Sequence, residues 1–103
     1  MAMPDDELEV PETPDVDELQ LTLELGEHGL RNIDDALKKA ADGKFLKVAR
    51  IIVHALKTLQ VRPTELYVNV CVRRIHALVE EGIFEARGNV RRPRWSEARL
   101  RHH

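Results

Sequence analysis

The 103-residue chain has one cysteine, few aromatic residues and no long apolar run. Cys71 has no partner for an internal disulfide, which excludes a disulfide-stapled fold. No stretch approaches the ~20 apolar residues needed to cross a bilayer, and the N-terminus lacks the apolar segment of a secretory signal. We therefore expect no membrane partner and a reducing, cytoplasmic location.

Aromatic residues make up only 4% of the chain, whereas 43% of its residues are hydrophobic. Leu, Val, Ile and Ala must therefore fill the interior, a composition that favours helices packed on helices. A chain of this length forms one domain at most, and small domains leave a large fraction of their surface in water. We expect a single domain with a modest aliphatic core.

The two parts of the chain carry opposite charges, although the formal net charge is only −2. Residues 1–42 hold 13 Asp+Glu and 3 Lys+Arg, a net charge of −10. Residues 43–103 hold 5 Asp+Glu and 13 Lys+Arg, a net charge of +8. An acidic head thus precedes a basic body, which favours an anionic partner for the body.

The acidic head begins with a segment that is unsuited to folding by itself. Residues 1–17 combine three prolines with many carboxylates, a composition that cannot offset the entropy of ordering. We predict a disordered acidic tail over residues 1–17 and a folded domain over residues 18–103. The tail could compete with phosphates for the basic residues, or it could be a solvated extension without a docking site.

Strict alternation follows the tail, with leucine at every second position from Leu19 to Leu25. Period-two alternation predicts an extra N-terminal strand over residues 18–25, although Leu, Glu and Gln are better helix formers than strand formers. Gly26 and Gly29 are expected to bracket a turn after this strand.

Three amphipathic helices are predicted near residues 33–42, 45–59 and 64–81. Asn32 can cap the first helix, and Gly43 can close it. The second helix ends before Pro63, because the residue preceding a proline is pushed out of the α region. Thr64 can cap the third helix and Gly82 can end it.

An arginine-rich hairpin is predicted after the third helix, with residues 88–95 as its tip. One register places opposite charges across from each other on one face and apolar residues on the other. This register pairs Phe84 with Leu100, Glu85 with Arg99, Ala86 with Ala98 and Arg87 with Glu97.

The segment IHALVEEGIFEARG, residues 75–88, resembles the helix-to-wing junction of bacterial winged-helix domains. KVARIIVHAL, LVEEGIFEARG and RWSEARL together resemble an uncharacterised bacterial domain-of-unknown-function family over about residues 30–101. The resemblance implies a mainly α fold with a small β-hairpin (α+β), namely a three-helix winged-helix-like domain. It implies no activity and no site residues. The chain departs from a standard DNA-reading winged helix in one respect, because only residues 60–63 separate the long second helix from the long third helix.

Positive side chains cluster on the third helix and at the hairpin tip, where they could contact phosphates or base edges. The alternative is a solvated polar surface. Trp95 could stack on a base or sugar, but we expect it to cover the edge of the small core. The candidate nucleic-acid-binding residues are Asn69, Arg73, Arg74, Arg87, Arg91, Arg92 and Arg94.

Motifs for enzyme chemistry are not visible in the sequence. His28, His54 and His76 lack paired metal-ligand spacing, Cys71 lies in an apolar stripe, and Ser96 lies outside any nucleophile elbow. No glycine-rich phosphate loop is visible. We therefore expect no catalytic residues, no metal, no cofactor and no small-molecule substrate.

Two functional hypotheses remain. The first is a winged-helix-like module that binds nucleic acid through the third helix and the hairpin. The second is a non-catalytic protein-interaction or dimerisation domain that pairs through the hairpin or through the strand predicted over Leu19–Leu25, because an unpaired strand edge can accept a partner strand.

Overall fold

The computed structural model describes residues 9–101, and its first element is helix α1, Val16–Ala40. Asp15 caps this helix, and its side chain accepts a 2.9 Å hydrogen bond from the Glu18 backbone N–H. The strand predicted over residues 18–25 is therefore wrong. Helical spacing places Leu21 and Leu25 on one face, where both pack against the core. The helix also agrees with the helix propensity of these residue types, although the strand prediction gave more weight to the period-two pattern.

A kink at Gly26 divides α1 into two parts. Gly26 has φ 66° and ψ −176°, a conformation that is open essentially to glycine alone. The helix resumes directly after it and ends at Ala40, so the predicted N-cap at Asn32 and the predicted end near Gly43 are also wrong. Ile33, Ala36 and Leu37 in the second part are buried.

Strand β1, Leu46–Lys47, and helix α2, Val48–Thr58, occupy the region predicted as one helix over residues 45–59. β1 was missed because its partner lies about 50 residues away in the sequence. Gln60 follows α2 with φ 59°. The Gln60 N–H donates to the Lys57 carbonyl and the Val61 N–H to the Leu56 carbonyl, so the helix ends before Pro63 in a Schellman motif.

Helix α3, Glu65–Glu80, agrees with the prediction within one residue at each end. The Thr64 hydroxyl accepts a 3.3 Å hydrogen bond from the Tyr67 N–H, which confirms Thr64 as the N-cap. Gly82, at φ 80°, forms a second Schellman motif, in which the Ile83 N–H donates to the Leu78 carbonyl.

The hairpin consists of β2, Phe84–Arg87, and β3, Glu97–Leu100, in the register predicted from charge and apolar pairing. β1 adds to the other edge of β3, which gives an antiparallel sheet with strand order β1-β3-β2. The described chain therefore has three helices and a small three-stranded sheet. The mainly helical α+β class is confirmed.

The core lies between the three helices and the inner face of the sheet. α1 packs against both α2 and α3, and Phe84 and Ala98 close the core from the sheet. Aliphatic side chains dominate it, as the composition predicts. The buried hydrophobic residues of the helices are Ile33, Ala36, Leu37, Val48, Ile51, Ile52, Ala55, Leu56, Val70, Cys71, Val72, Ile75 and Leu78.

Residues 9–12 lie against the hairpin tip. Val10 is only 4% exposed, and its N–H donates a 2.7 Å hydrogen bond to the Arg91 carbonyl. The boundary predicted between residues 17 and 18 falls inside α1. Residues 1–8 of the predicted tail lie outside the described residues.

Candidate nucleic-acid interface

Arg74 has a structural role in the fold. Its Nε and Nη2 atoms each donate a 2.8 Å hydrogen bond to the Asp34 carboxylate, which ties α3 to α1. These bonds raise the pKa of Arg74 above its ordinary value, so the guanidinium is charged at any physiological pH. Both side chains are largely buried. The structure therefore places the Arg74 guanidinium against α1 and leaves about a quarter of its side chain exposed.

Arg73 also contacts α1, from the outward face of α3. Its guanidinium forms a two-point ion pair with the Glu18 carboxylate, which is 3% exposed. Its Nη1 donates a 3.2 Å hydrogen bond to the Glu12 carbonyl. Sequence periodicity placed Arg73 on the solvent side, but residues 12–18 cover it.

Two tip arginines bind carboxylates of the same N-terminal stretch. Arg91 Nη1 lies 3.2 Å from Glu9 Oε2, and Arg91 Nη2 lies 3.7 Å from Glu12 Oε1. Arg92 Nε lies 3.5 Å from Glu9 Oε1. We call residues 9–18 the acidic segment. Arg73 of α3 and the two tip arginines thus all pair with carboxylates of the acidic segment.

Arg87 lies apart from this surface. It shares the outer face of the sheet with Glu97, 3.9 Å away, and its guanidinium lies 3.8 Å from the ring centroid of Phe45. Arg99 lies over the same ring at 4.4 Å. Because successive side chains of a strand point to opposite faces of the sheet, this face is the one opposite buried Phe84. The structure therefore does not join Arg87 to the other candidate residues.

Arg94 and Trp95 lie beside the start of α2. Trp95 is 58% exposed, so the prediction that it covers the core edge is wrong. A shallow depression is lined by both residues together with Lys47, Ala49 and Arg50. The Ala49 N–H donates to the Pro93 carbonyl, which holds the tip against α2. We call Lys47, Arg50, Arg94 and Trp95 the tryptophan patch.

Lys47 and Arg50 were not among the residues singled out from the sequence. The helix predicted over residues 45–59 has both of them on its solvent-facing side. Only the pairing of β1 with β3 brings them beside the hairpin tip, since Lys47 pairs with Glu97. No local sequence pattern shows this pairing.

Asn69 lies at a groove that continues the surface from the tip towards the start of α3. The groove measures about 630 Å³, and Val53, Val68 and Pro93 supply much of its apolar lining. Val10 and Arg94 line it as well. Asn69 therefore shares this groove with Val10 of the acidic segment and Arg94 of the tryptophan patch.

Cys71 is fully buried in α3. Burial, with a smaller contribution from the Asp34 charge, raises the pKa of the thiol to about 12. The thiolate needed for nucleophilic attack is therefore scarce at neutral pH.

Within residues 9–101, His, Cys, Asp and Glu form no group of three or more that could hold a metal ion. None of the helices in the same range combines the length and apolarity needed to cross a membrane.

Comparisons of the chain with protein-family models, with curated proteins and with solved structures found no match. The resemblance to a bacterial family therefore stays a prediction.

Proposed function

We propose that this protein is a winged-helix module that binds nucleic acid through its hairpin tip and the start of α2. Support for the fold comes from the element order α1-β1-α2-α3-β2-β3 and the strand order β1-β3-β2, which is the arrangement of a winged helix. α2 and α3 are joined by a short turn, as in a helix-turn-helix. With 11 residues, α2 fills the place of the scaffold helix that precedes a recognition helix.

The observation that carries the functional proposal is the tryptophan patch. An exposed tryptophan offers an apolar plane on which a base can stack, and such stacking tolerates any base. The cations of Lys47, Arg50 and Arg94 line the same depression and suit phosphate oxygens. A plane for bases bordered by cations for phosphates fits a nucleic-acid strand better than it fits a neutral partner.

α3 contributes less to binding than in the sequence-based hypothesis. Arg74 is held by Asp34, and Arg73 is held by Glu18. Reading base edges would require both guanidinium groups to leave partly buried partners, which is costly. We therefore place the main contacts at the tip and at the start of α2.

The test is a titration of the protein with single-stranded and duplex oligonucleotides at two salt concentrations. The double variant Lys47→Gln/Arg50→Gln should bind more weakly, and the slope of log K against log salt should fall by roughly 1–2 because two phosphate contacts are lost. Lys39→Gln/Lys57→Gln removes the same charge at two exposed positions elsewhere and should retain most of the affinity. Absence of binding by the unmodified chain at low salt would refute the proposal.

A second candidate function, protein interaction, is favoured by an exposed apolar stripe on α1. Val16, Leu19 and Leu23 recur at helical spacing and are 78%, 49% and 77% exposed. Asp17 and Glu24 flank the stripe on one side. Two copies of the chain packed through this stripe would bring these carboxylates together, where like charges repel. The stripe therefore fits an amphipathic helix of another protein that carries basic flanks. This surface replaces the strand edge proposed from the sequence.

The stripe can be tested separately from nucleic-acid binding. A synthetic amphipathic helix with a leucine stripe and lysine flanks should bind the unmodified chain and lose affinity for Leu19→Gln/Leu23→Gln. The same double variant should leave nucleic-acid binding unchanged. Equal peptide binding by both forms would rule out the stripe, and self-association that the variant abolishes would identify a second copy as the partner instead.

A further inference from the structure

We propose that the acidic segment, residues 9–18, is an intramolecular competitor that covers part of the nucleic-acid surface until a polyanion displaces it. This inference rests on the proposed function and concerns the regulation of the same surface. Trp95 is 58% exposed, so its ring remains able to make the first contact.

The contacts of the acidic segment match those expected of a bound phosphate strand. Carboxylates of Glu9, Glu12 and Glu18 lie on guanidinium groups of the tip and of α3. Arginine forks bind carboxylate and phosphate with the same planar geometry. A surface that accepts three carboxylates of its own chain is therefore suited to successive phosphates.

Two features keep the segment in place. The Val10 side chain is buried, and Val10 exchanges hydrogen bonds with Arg91 through its N–H at 2.7 Å and its carbonyl at 3.2 Å. Because the segment continues directly into α1, it is also present at a high effective concentration. The second feature is not available to a free acidic peptide.

The ion pairs at the tip are weak enough for a polyanion to replace the carboxylates. Glu9 is about one-third exposed and Glu12 is mostly exposed, so both pairs are screened by water and salt. Glu18 is different, because its carboxylate is almost fully buried with Arg73. We therefore expect residues 9–14 to leave the surface first, while α1 stays folded.

When a segment covers the surface, the apparent affinity equals that of the open surface multiplied by the fraction of molecules in which the segment is displaced. If residues 9–14 leave the tip one-tenth of the time, the affinity is about tenfold below that of the open surface. Loosening the segment should therefore tighten nucleic-acid binding, without any change to the surface itself.

The sharpest variant is Val10→Ser, which weakens the apolar anchor and keeps the net charge. We expect it to bind a single-stranded oligonucleotide several-fold and up to about tenfold more tightly at low salt. The control is Leu23→Ser, which removes an exposed apolar side chain of α1 outside the acidic segment and should bind as the unmodified chain does.

A second pair of variants tests the carboxylates. Glu9→Gln/Glu12→Gln should bind more tightly than Glu24→Gln/Glu27→Gln, which removes the same charge from exposed positions on α1 outside the acidic segment. The difference between these two variants should shrink as salt rises, because salt screens the pairs that the first variant loses. This comparison remains informative if Val10→Ser folds poorly.

Hydrogen exchange reports the displacement directly. The Val10 amide should be protected in the free protein by its bond to Arg91 and should exchange faster when the oligonucleotide is bound. Binding with unchanged protection, or equal affinities within each variant pair, would overturn the inference and leave the proposed function standing. Absence of binding by every form would overturn the proposed function itself.

Discussion

Glu18 in the first turn of α1 and Arg73 in the middle of α3 form a largely buried ion pair across 55 residues of sequence. Glu18→Gln would leave the Arg73 charge without its carboxylate. We expect a loss of roughly 2–3 kcal/mol in the free energy of unfolding, at the lower end for a buried pair because Arg73 can still reach water. Urea titration measures this loss. Glu27→Gln, which breaks an exposed pair with Arg31, should change stability by less than about 0.5 kcal/mol.

Gly26→Ala should destabilise the protein although space for the new methyl group is available. Within residues 9–101, no atom beyond the adjoining residues and backbone of the same helix lies within 4 Å of the position that a Cβ would take, so the cost comes from the backbone alone. At φ 66° and ψ −176°, alanine is strained by roughly 1–3 kcal/mol. Thermal or urea unfolding would detect the change. Stability equal to that of the unmodified chain would mean that the kink is not required.

Gln60→Gly should stabilise the protein by roughly 0.5–1 kcal/mol, because glycine adopts the left-handed conformation without the strain of a side chain. The Schellman motif at the end of α2 places Gln60 at the position where glycine is most common. A lower midpoint of urea unfolding for the variant would contradict this account and would indicate that the Gln60 side chain makes a compensating contact.

Cys71 should resist alkylation in the folded protein. At pH 8 we expect iodoacetamide to modify it only as fast as the chain unfolds, whereas it should react at once in concentrated urea. The folded pKa of about 12 exceeds the ordinary value of 9.0, so the protonated thiol stabilises the fold below pH 9. That contribution is lost as pH rises from about 9 towards 12. Mass spectrometry after timed labelling checks the rate, and rapid modification of the folded protein at pH 8 would be the contrary result.

Trp95 is the only tryptophan in the chain, so its fluorescence reports on the tryptophan patch alone. Stacking of a base should quench its emission when a single-stranded oligonucleotide binds. Trp95→Ala should lose roughly 1–3 kcal/mol of binding free energy, whereas Trp95→Phe should retain part of it, because phenylalanine still offers a ring. Unchanged emission on saturation with the oligonucleotide would remove the stacking role.

The sequence was most informative where local chemistry decides the structure. Thr64 and Gly82 mark the ends of α3, because a cap and a left-handed terminus depend on a few adjacent residues. The hairpin register could likewise be predicted, because charged and apolar residues on the two strands admit one common pairing. These features account for the mainly helical α+β class.

The sequence was least informative where distant segments meet. Alternating leucines predicted a strand where the first part of α1 lies, but the helix forms because Leu21 and Leu25 pack against a core built mostly from residues that come much later in the chain. β1 exists only through its pairing with β3, and that pairing brings Lys47 to the hairpin tip. Local patterns contain no information about either contact.

The charge polarity of the chain follows from the sequence alone, since counting residues reveals an acidic head and a basic body. Only the tertiary structure decides which charges meet. It places Glu9 on Arg91 and Arg92, pairs Arg74 with Asp34, and leaves Trp95 exposed beside α2. The physical reason is that ion pairing and burial depend on distances in the folded chain, which sequence separation does not determine.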